Sequence, residues 1–263
     1  MTEPFDDDEL ERYARQIVLP EVGGRGQDRL RAARALVVGV GGLGCPAALY
    51  LAAAGVGQLT LIDDDRVDLG NLHRQVLFRT GDIGRPKVEV AAAALRERDP
   101  RVRITPLAAR LDETNARTII AGHDLVLDGS DNFATRALVA AAAAAAKVPL
   151  ISGSVQGFAG QLTLLAPFAD PTSPCFRCLF PADPAANALP SCAVAGVVGP
   201  IAGWVGTMMA SEAVKWVLGV GQPTVGRMLL IDGLEARVEE IRVGRRRTCG
   251  TACRHRVGRA AAA

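Results

Sequence analysis

Residues 35–65 read ALVVGVGGLGCPAALYLAAAGVGQLTLIDDD. A β-branched run, Ala35–Val40, leads into Gly39-Val-Gly41-Gly42-Leu-Gly44, and an alanine-rich helical stretch, Ala47–Ala54, stops near Gly55 and Gly57. Strand, glycine turn and helix, in that order, aim backbone N–H groups and a helix N-terminus at a phosphate. Gly39, Gly41 and Gly44 keep the spacing. Gln58–Asp63 is the next strand, and Asp63 ends it, where an acid bonds a ribose hydroxyl. Turn and acid alone leave nicotinamide, flavin and other nucleotides open.

Outward from this unit, strands and helices continue to alternate. Lys87–Arg98 reads as a helix ending before Pro100, Arg103–Leu107 as a third strand and Asp124–Asp128 as a fourth. Thr135–Lys147 reads as a helix and Val148–Ser152 as a fifth strand. Such alternation predicts a parallel sheet with helices on both faces. The pattern then changes. Gln161–Ala166, Arg227–Asp232 and Ala236–Val243 are strands without long helices between them, an antiparallel extension. A Pro/Cys-rich loop, Pro167–Gly199, precedes a long apolar helix, Pro200–Leu218. The expected fold is α/β: a Rossmann-like mixed sheet, parallel in its N-terminal half and antiparallel in its C-terminal extension, with helices on both faces. Residues 1–33 form charged helical turns ending at a bend, Gly23-Gly24-Arg25-Gly26. Residues 34–244 form one nucleotide-binding domain, and residues 245–263 a basic, cysteine-containing tail.

The bulk numbers suit this plan. The chain has 263 residues, 49% of them hydrophobic and only 4% aromatic, so alanine-rich helices must pack closely. A net charge of +2 gives no strong bias toward nucleic acid or acidic membranes. Residues 1–15 are acidic and polar, without a signal-peptide core, and no apolar run reaches membrane-spanning length. The chain is expected to be soluble and cytoplasmic, where six cysteines point to metal or thiol chemistry before disulfides.

The residues beyond Asp63 carry more information than the glycine loop. Asn71, Arg74 and Lys87 follow the second strand, at the carboxyl edge where open sheets bind ligands. Arg74 offers a planar fork and Lys87 a point charge to phosphate oxygens; the alternative for each is a solvated surface cation. Asp128-Gly-Ser130-Asp131-Asn132 ends the fourth strand. A carboxylate there could hold Mg²⁺, while Ser130 or Asp131 could equally cap the helix that follows. Hydride transfer has no evident need of this set, whereas breaking a phosphoanhydride does.

Cys175-x-x-Cys178 and Cys249-x-x-x-Cys253 offer four thiolates for a tetrahedral Zn²⁺, with His255 as an alternative fourth ligand. Cys192, just before a helix start, is either a thiol of lowered pKa or a small loop residue without chemistry. Cys45 reads as a packing residue against the sheet. The three histidines, His73, His123 and His255, have no ligand spacing among themselves. Arg245–Arg247, Arg254, Arg256 and Arg259 read as a solvated basic tail, since no aromatic residues interleave them.

Seven motifs occur in series: Arg12-Tyr-Ala-Arg15-Gln16, Gly39-Val-Gly-Gly-Leu-Gly44, Leu61-Ile-Asp63-Asp-Asp65, Asn71-Leu-His-Arg74-Gln75, Gly84-Arg-Pro-Lys87, Asp128-Gly-Ser-Asp131-Asn132 and Cys175-Phe-Arg-Cys178. In this series the chain resembles the bacterial ubiquitin-activating-like adenylyltransferases, which activate the small sulfur carriers of molybdopterin and thiamine biosynthesis. The resemblance runs from about Arg12 to Cys253. It implies ATP cradled by Gly39, Gly41, Gly42 and Gly44, with nucleotide contacts from Asp63, Asp65 and Asn132. It implies phosphate contacts from Asn71, Arg74 and Lys87, and Mg²⁺ on Asp131. It implies that Arg15 reaches the ATP of a partner subunit, hence a homodimer, and that the cysteine at the Cys192 position takes part in sulfur transfer or thioester chemistry in some members and is dispensable in others. The family's second cysteine pair is usually Cys-x-x-Cys; here one more residue separates Cys249 from Cys253.

The implied reaction is adenylation of the C-terminal glycine carboxylate of a ubiquitin-like carrier ending in Gly-Gly. A carboxylate is ionised at neutral pH, so alignment and charge stabilisation suffice without a strong base. No sulfurtransferase segment follows Cys253, so sulfur is expected from a separate donor protein. The alternative, an NAD(P)-dependent oxidoreductase, is supported by Gly39–Gly44 and Asp63 but leaves Arg74, Lys87 and Asp131 without a role.

Overall fold

A computed structural model describes residues 4–169, 172–181, 196–247 and 249. The strands are β1 (Arg34–Val38), β2 (Gln58–Ile62), β3 (Arg103–Leu107), β4 (Leu125–Asp128), β5 (Leu150–Gln156), β6 (Ala159–Leu165), β7 (Arg227–Asp232) and β8 (Arg237–Arg242). They form one eight-stranded sheet in the order β3-β2-β1-β4-β5-β6-β7-β8. Pairing is parallel from β3 to β5 and antiparallel from β5 to β8. The mixed sheet is therefore as expected. The helices are α1 (Asp7–Ile17), α2 (Gly23–Ala32), α3 (Gly44–Ala53), α4 (Lys87–Arg98), α5 (Ala116–Ala121), α6 (Phe133–Ala146), α7 (Phe176–Leu179) and α8 (Gly199–Leu218).

The parallel strands are apolar on both faces because helices cover both. Val37, Leu61 and Leu127 point into a core with Ala48 and Leu51 of α3 and with Val205 and Met209 of α8. Leu36, Val38 and Val126 point the other way, onto Ile120 of α5 and Val139 and Ala143 of α6. Small residues set how closely α8 lies. A Cβ on Gly206 would sit 2.4 Å from the Leu43 carbonyl oxygen, and one on Gly160 of β6 2.5 Å from Val205 Cγ2. At either position alanine forces the helix away from its neighbours.

Several boundaries differ from the sequence reading. The glycine-rich stretch from Gly23 opens helix α2 instead of forming a bend. The first strand ends at Val38, because Gly39 takes a left-handed φ of +81°. β5 runs on to Gln156, since Ser152–Gln156 pair with Thr163–Ala159 in a hairpin. The helix after the Asp128 loop begins at Phe133, and Asn132, not Ser130 or Asp131, caps it by accepting the Thr135 N–H at 2.9 Å. Among the described residues, no helix is long and apolar enough to cross a membrane.

Candidate active site

The chain runs from β1 outward through β2 to β3 and returns on the other side of β1 as β4. The reversal leaves a crevice at the carboxyl ends of β1 and β4, the usual ligand position in such sheets. The backbones converge tightly there. A Cβ on Gly39 would lie 3.3 Å from the Gly129 carbonyl, and one on Gly44 only 1.9 Å from the Gly39 carbonyl oxygen. Only glycine lets the turn fold back onto the first turn of α3. Cys45 lies behind it, fully buried, its thiol 3.5 Å from the Val40 carbonyl and its pKa pushed up to about 12 by burial. It is a packing residue, as expected.

Asp63 ties the glycine loop to the end of β2. It accepts the Val40 N–H at 2.7 Å on one oxygen and the Asp65 N–H at 2.9 Å on the other. Burial raises its pKa, against the opposing pull of Lys87 and the two backbone donors. Lys87, the first residue of α4, is 5% exposed, which removes the reading of a solvated surface cation. Its ammonium pairs with exposed Asp65 at 2.7 Å, and its backbone N–H donates to the Asp65 carbonyl at 3.0 Å.

Asn71 closes a 3-10 turn, Leu69–Asn71, capped by Asp68. Its carbonyl accepts the Arg74 and Gln75 N–H groups at 3.1 and 3.0 Å, which fixes the next turn. The Arg74 stem lies across the glycine loop, with Cγ 3.3 Å from where a Cβ of Gly42 would stand. Its guanidinium donates to the Gly70 carbonyl at 2.9 Å and lies 2.7 Å from His73 Nε2. Gly39, Gly41, Gly42, Gly44, Asp63, Asp65, Asn71, Arg74 and Lys87 thus gather at one edge of the sheet.

On the other wall, Asp128 ends β4 fully buried. One oxygen accepts the Ser130 N–H at 3.0 Å; burial raises its pKa, and nearby Arg136 opposes the rise. Asp128 Oδ2, Ser130 Oγ and Gln75 Oε1 are buried with no hydrogen-bond partner among the described residues. Bare buried polar atoms cost about 1–3 kcal/mol each, so their presence around the crevice suits a site completed by another molecule. Arg136 clamps this wall: it donates to the Ser130 carbonyl at 3.2 Å and to the Gly153 carbonyl of β5. Asp131 and Asn132 stand exposed just beyond. Sequence reasoning passed over Arg136, although it is the one charged residue in α6.

Arg15 stands apart. It is exposed on α1, which docks against the ends of α3 and α4 that point away from the crevice. Cys175, Cys178 and Cys249 come together elsewhere, with sulfur separations of 3.9, 3.7 and 3.3 Å. Sulfurs at 2.3 Å from a tetrahedral zinc lie about 3.8 Å apart; the two Cys175 separations match that spacing, and the Cys178–Cys249 separation is shorter. Cys249 is disulfide-bonded in the structure. Cys192, Cys253 and His255 also lie outside them.

Comparison with protein families matches residues 13–253 to the ThiF family. Among curated proteins, the chain is 48% identical over 247 residues to a sulfur carrier protein adenylyltransferase of Thermus thermophilus, covering 92% of this chain and 90% of that protein. It is 44% identical over 241 residues to the SAMP-activating enzyme E1 of Haloferax volcanii, covering 92% and 88%. It is 47% identical to the adenylyltransferase and sulfurtransferase MOCS3 of Bos taurus, covering 95% of this chain but 54% of that protein. The crystal structure of E. coli MccB with ATP superposes with a TM-score of 0.80 at 22% identity, covering 93% of this chain and 74% of that one, a likeness of fold.

Proposed function

The chain belongs to the ThiF family, and on that premise we infer that it uses ATP to adenylate the C-terminal glycine carboxylate of a ubiquitin-like sulfur-carrier protein. A carboxylate oxygen bonds to the α-phosphorus, the bond to the β-phosphate bridge breaks, and pyrophosphate leaves. The products are an acyl-adenylate and pyrophosphate, ready for thiocarboxylate formation with sulfur from a separate donor protein. The adenylating unit is residues 34–244, with residues 1–33 and 245–263 as its flanks. The enzyme works in the cytoplasm.

The observation that carries this reading is the buried ammonium of Lys87 beside the glycine loop, ion-paired, among the described residues, with an exposed carboxylate. A buried cation with a displaceable partner suits a polyanion that comes and goes. Arg74 lies across the same loop and would hold the oxygens on which charge grows as pyrophosphate departs. Asp63 and Asp65 would orient the nucleoside end, and Asn71 and Asn132 would supply polar contacts. No residue need take a proton from the attacking group, so a site built on the cations Arg74 and Lys87 without an evident strong base accords with the reaction.

Asp131 would hold Mg²⁺, with the unpartnered Asp128 Oδ2 behind it. The ion would neutralise polyphosphate oxygens. Cys175, Cys178, Cys249 and Cys253 would hold a structural Zn²⁺ in the reduced protein, pinning the tail to the loop that carries α7. Arg15, exposed and remote from the loop of its own chain, would serve the nucleotide of a second copy, so the working unit is a homodimer. Carrier-dependent exchange of radiolabelled pyrophosphate into ATP tests the reading. Exchange that needs a carrier ending in Gly-Gly supports it, and tight NADH binding without ATP binding overturns it.

A further inference from the structure

The docking of α1 is built from buried polar groups, an arrangement costly to keep without a use. The Tyr13 hydroxyl donates to Oδ2 of Asp99, a carboxylate with 0% exposure. The other Asp99 oxygen accepts the Arg101 N–H at 3.1 Å, and Arg12 Nε lies 3.8 Å from Oδ2. Arg12 also donates to the Arg98 carbonyl at 2.9 Å. Gln16 donates to the Ala54 carbonyl at 2.9 Å. The Tyr13 ring packs so closely on the turn after α3 that a Cβ on Gly55, at φ +81°, would sit 2.7 Å from Cζ. Arg101 reaches Asp6, the residue that caps α1, at 3.1 Å.

Every anchor lies at the far end of α3 or α4. The glycine loop and Lys87 lie at the near ends of the same helices. At 1.5 Å per residue, α3 and α4 put about 15–18 Å between them. Arg15 sits between the anchors Tyr13 and Gln16, exposed and with no hydrogen bond or ion pair among the described residues. Its backbone is held between those two anchors, at the ends of α3 and α4 remote from the glycine loop.

We propose that Tyr13, Gln16 and Asp99 form a latch that positions Arg15 for the polyphosphate bound in a second copy of this chain. The proposal rests on the reading of Arg15 as a residue acting across a dimer. A fully buried carboxylate is tolerated only while its oxygens are satisfied. Removing the Tyr13 hydroxyl strips Oδ2 of its donor, loosens α1 and lets the guanidinium wander. Misplacement of about 1 Å at a charge-stabilising group costs up to about a hundredfold in rate. These are positioning residues; none of them touches nucleotide.

The test uses mixed dimers of two differently tagged chains, Arg15→Ala and Arg74→Ala, purified through both tags and assayed by pyrophosphate exchange. One crevice of each mixed dimer has an intact Arg74 and receives Arg15 from its neighbour, so activity is expected to return. Tyr13→Phe is then added to one chain at a time. On the Arg74→Ala chain, which donates Arg15, it is expected to lower kcat by at least about tenfold. On the Arg15→Ala chain, which accepts it, the rate is expected to hold. A merely structural role moves both placements equally, and that result overturns the latch. No recovery in the mixed dimer overturns the cross-dimer reading itself. If Tyr13→Phe fails to fold, as judged by thermal unfolding, Gln16→Ala is read in the same two placements.

Discussion

Lys87 Nζ lies 2.7 Å from Asp65 Oδ2, with the lysine side chain 6% exposed and the aspartate side chain 66% exposed. The asymmetry governs what each substitution does. Water screens the carboxylate, so the pair itself adds little to stability. Lys87→Ala is expected to lower pyrophosphate exchange by about 10²–10³-fold, the usual loss for one charge-stabilising donor, with a small change in Tm. Asp65→Ala is expected to be the milder of the two. Exchange kinetics with thermal unfolding of both variants checks this; near-wild-type exchange in folded Lys87→Ala contradicts it.

Arg136 joins two strand ends, through the Ser130 and Gly153 carbonyls, beside the buried Asp128. Arg136→Ala leaves that carboxylate without its neighbouring cation. Stability is expected to fall by about 1.5–3 kcal/mol, the scale of hydrogen bonds to a charged group. The Mg²⁺ concentration for half-maximal exchange is expected to rise, because the Asp131 loop loses its clamp. Arg136→Lys should recover part of the stability but not both bonds. Urea unfolding and a Mg²⁺ titration of exchange measure the two effects separately.

His123 Nε2 lies 2.7 Å from Thr60 Oγ1, and Nδ1 lies 2.8 Å from the Ile119 carbonyl. Nδ1 must therefore carry the proton, and Nε2 accepts from the hydroxyl. Burial lowers the pKa, the main cause of the shift, with a smaller push from Arg34. The unfolded chain binds a proton at about pH 6.5, before the folded one does. Stability is full above that value and falls as pH drops toward the depressed folded value. The Tm of the wild type is expected to fall more than that of His123→Asn between about pH 7.5 and pH 5.5. Equal falls would remove His123 from the pH response.

The sulfurs of Cys175, Cys178 and Cys249 suit one zinc per reduced chain. Purification under mild reducing conditions is expected to yield about one equivalent. Cys178→Ser should reduce both the metal content and the Tm. Less than about half an equivalent in the wild type, with Cys249 still oxidised, would place the disulfide ahead of the metal.

Much of the sheet was legible because burial on two faces writes continuous apolar runs such as Leu125–Leu127, and hairpin strands end in recognisable turns. The glycine loop was legible because Gly39 and Gly44 answer to backbone crowding, which no other residue tolerates. Less legible was whatever depends on a distant partner. Lys87 looks like a surface cation until the folded chain buries it, and Arg136 declares itself only when Gly153 of β5 arrives beside it. Gly23 read as a bend because glycine seldom opens a helix; here packing of Leu30 outweighs propensity. Tyr13 and Asp99 lie 86 residues apart, so no local pattern could pair them.

The most direct test is carrier-dependent exchange of radiolabelled pyrophosphate into ATP by the wild type and by Arg74→Ala, each checked for folding. The account predicts exchange by the wild type only with a carrier ending in Gly-Gly, and none above background from the folded variant. Wild-type exchange in the folded variant would contradict the role given to Arg74. No exchange with any Gly-Gly carrier would contradict the function.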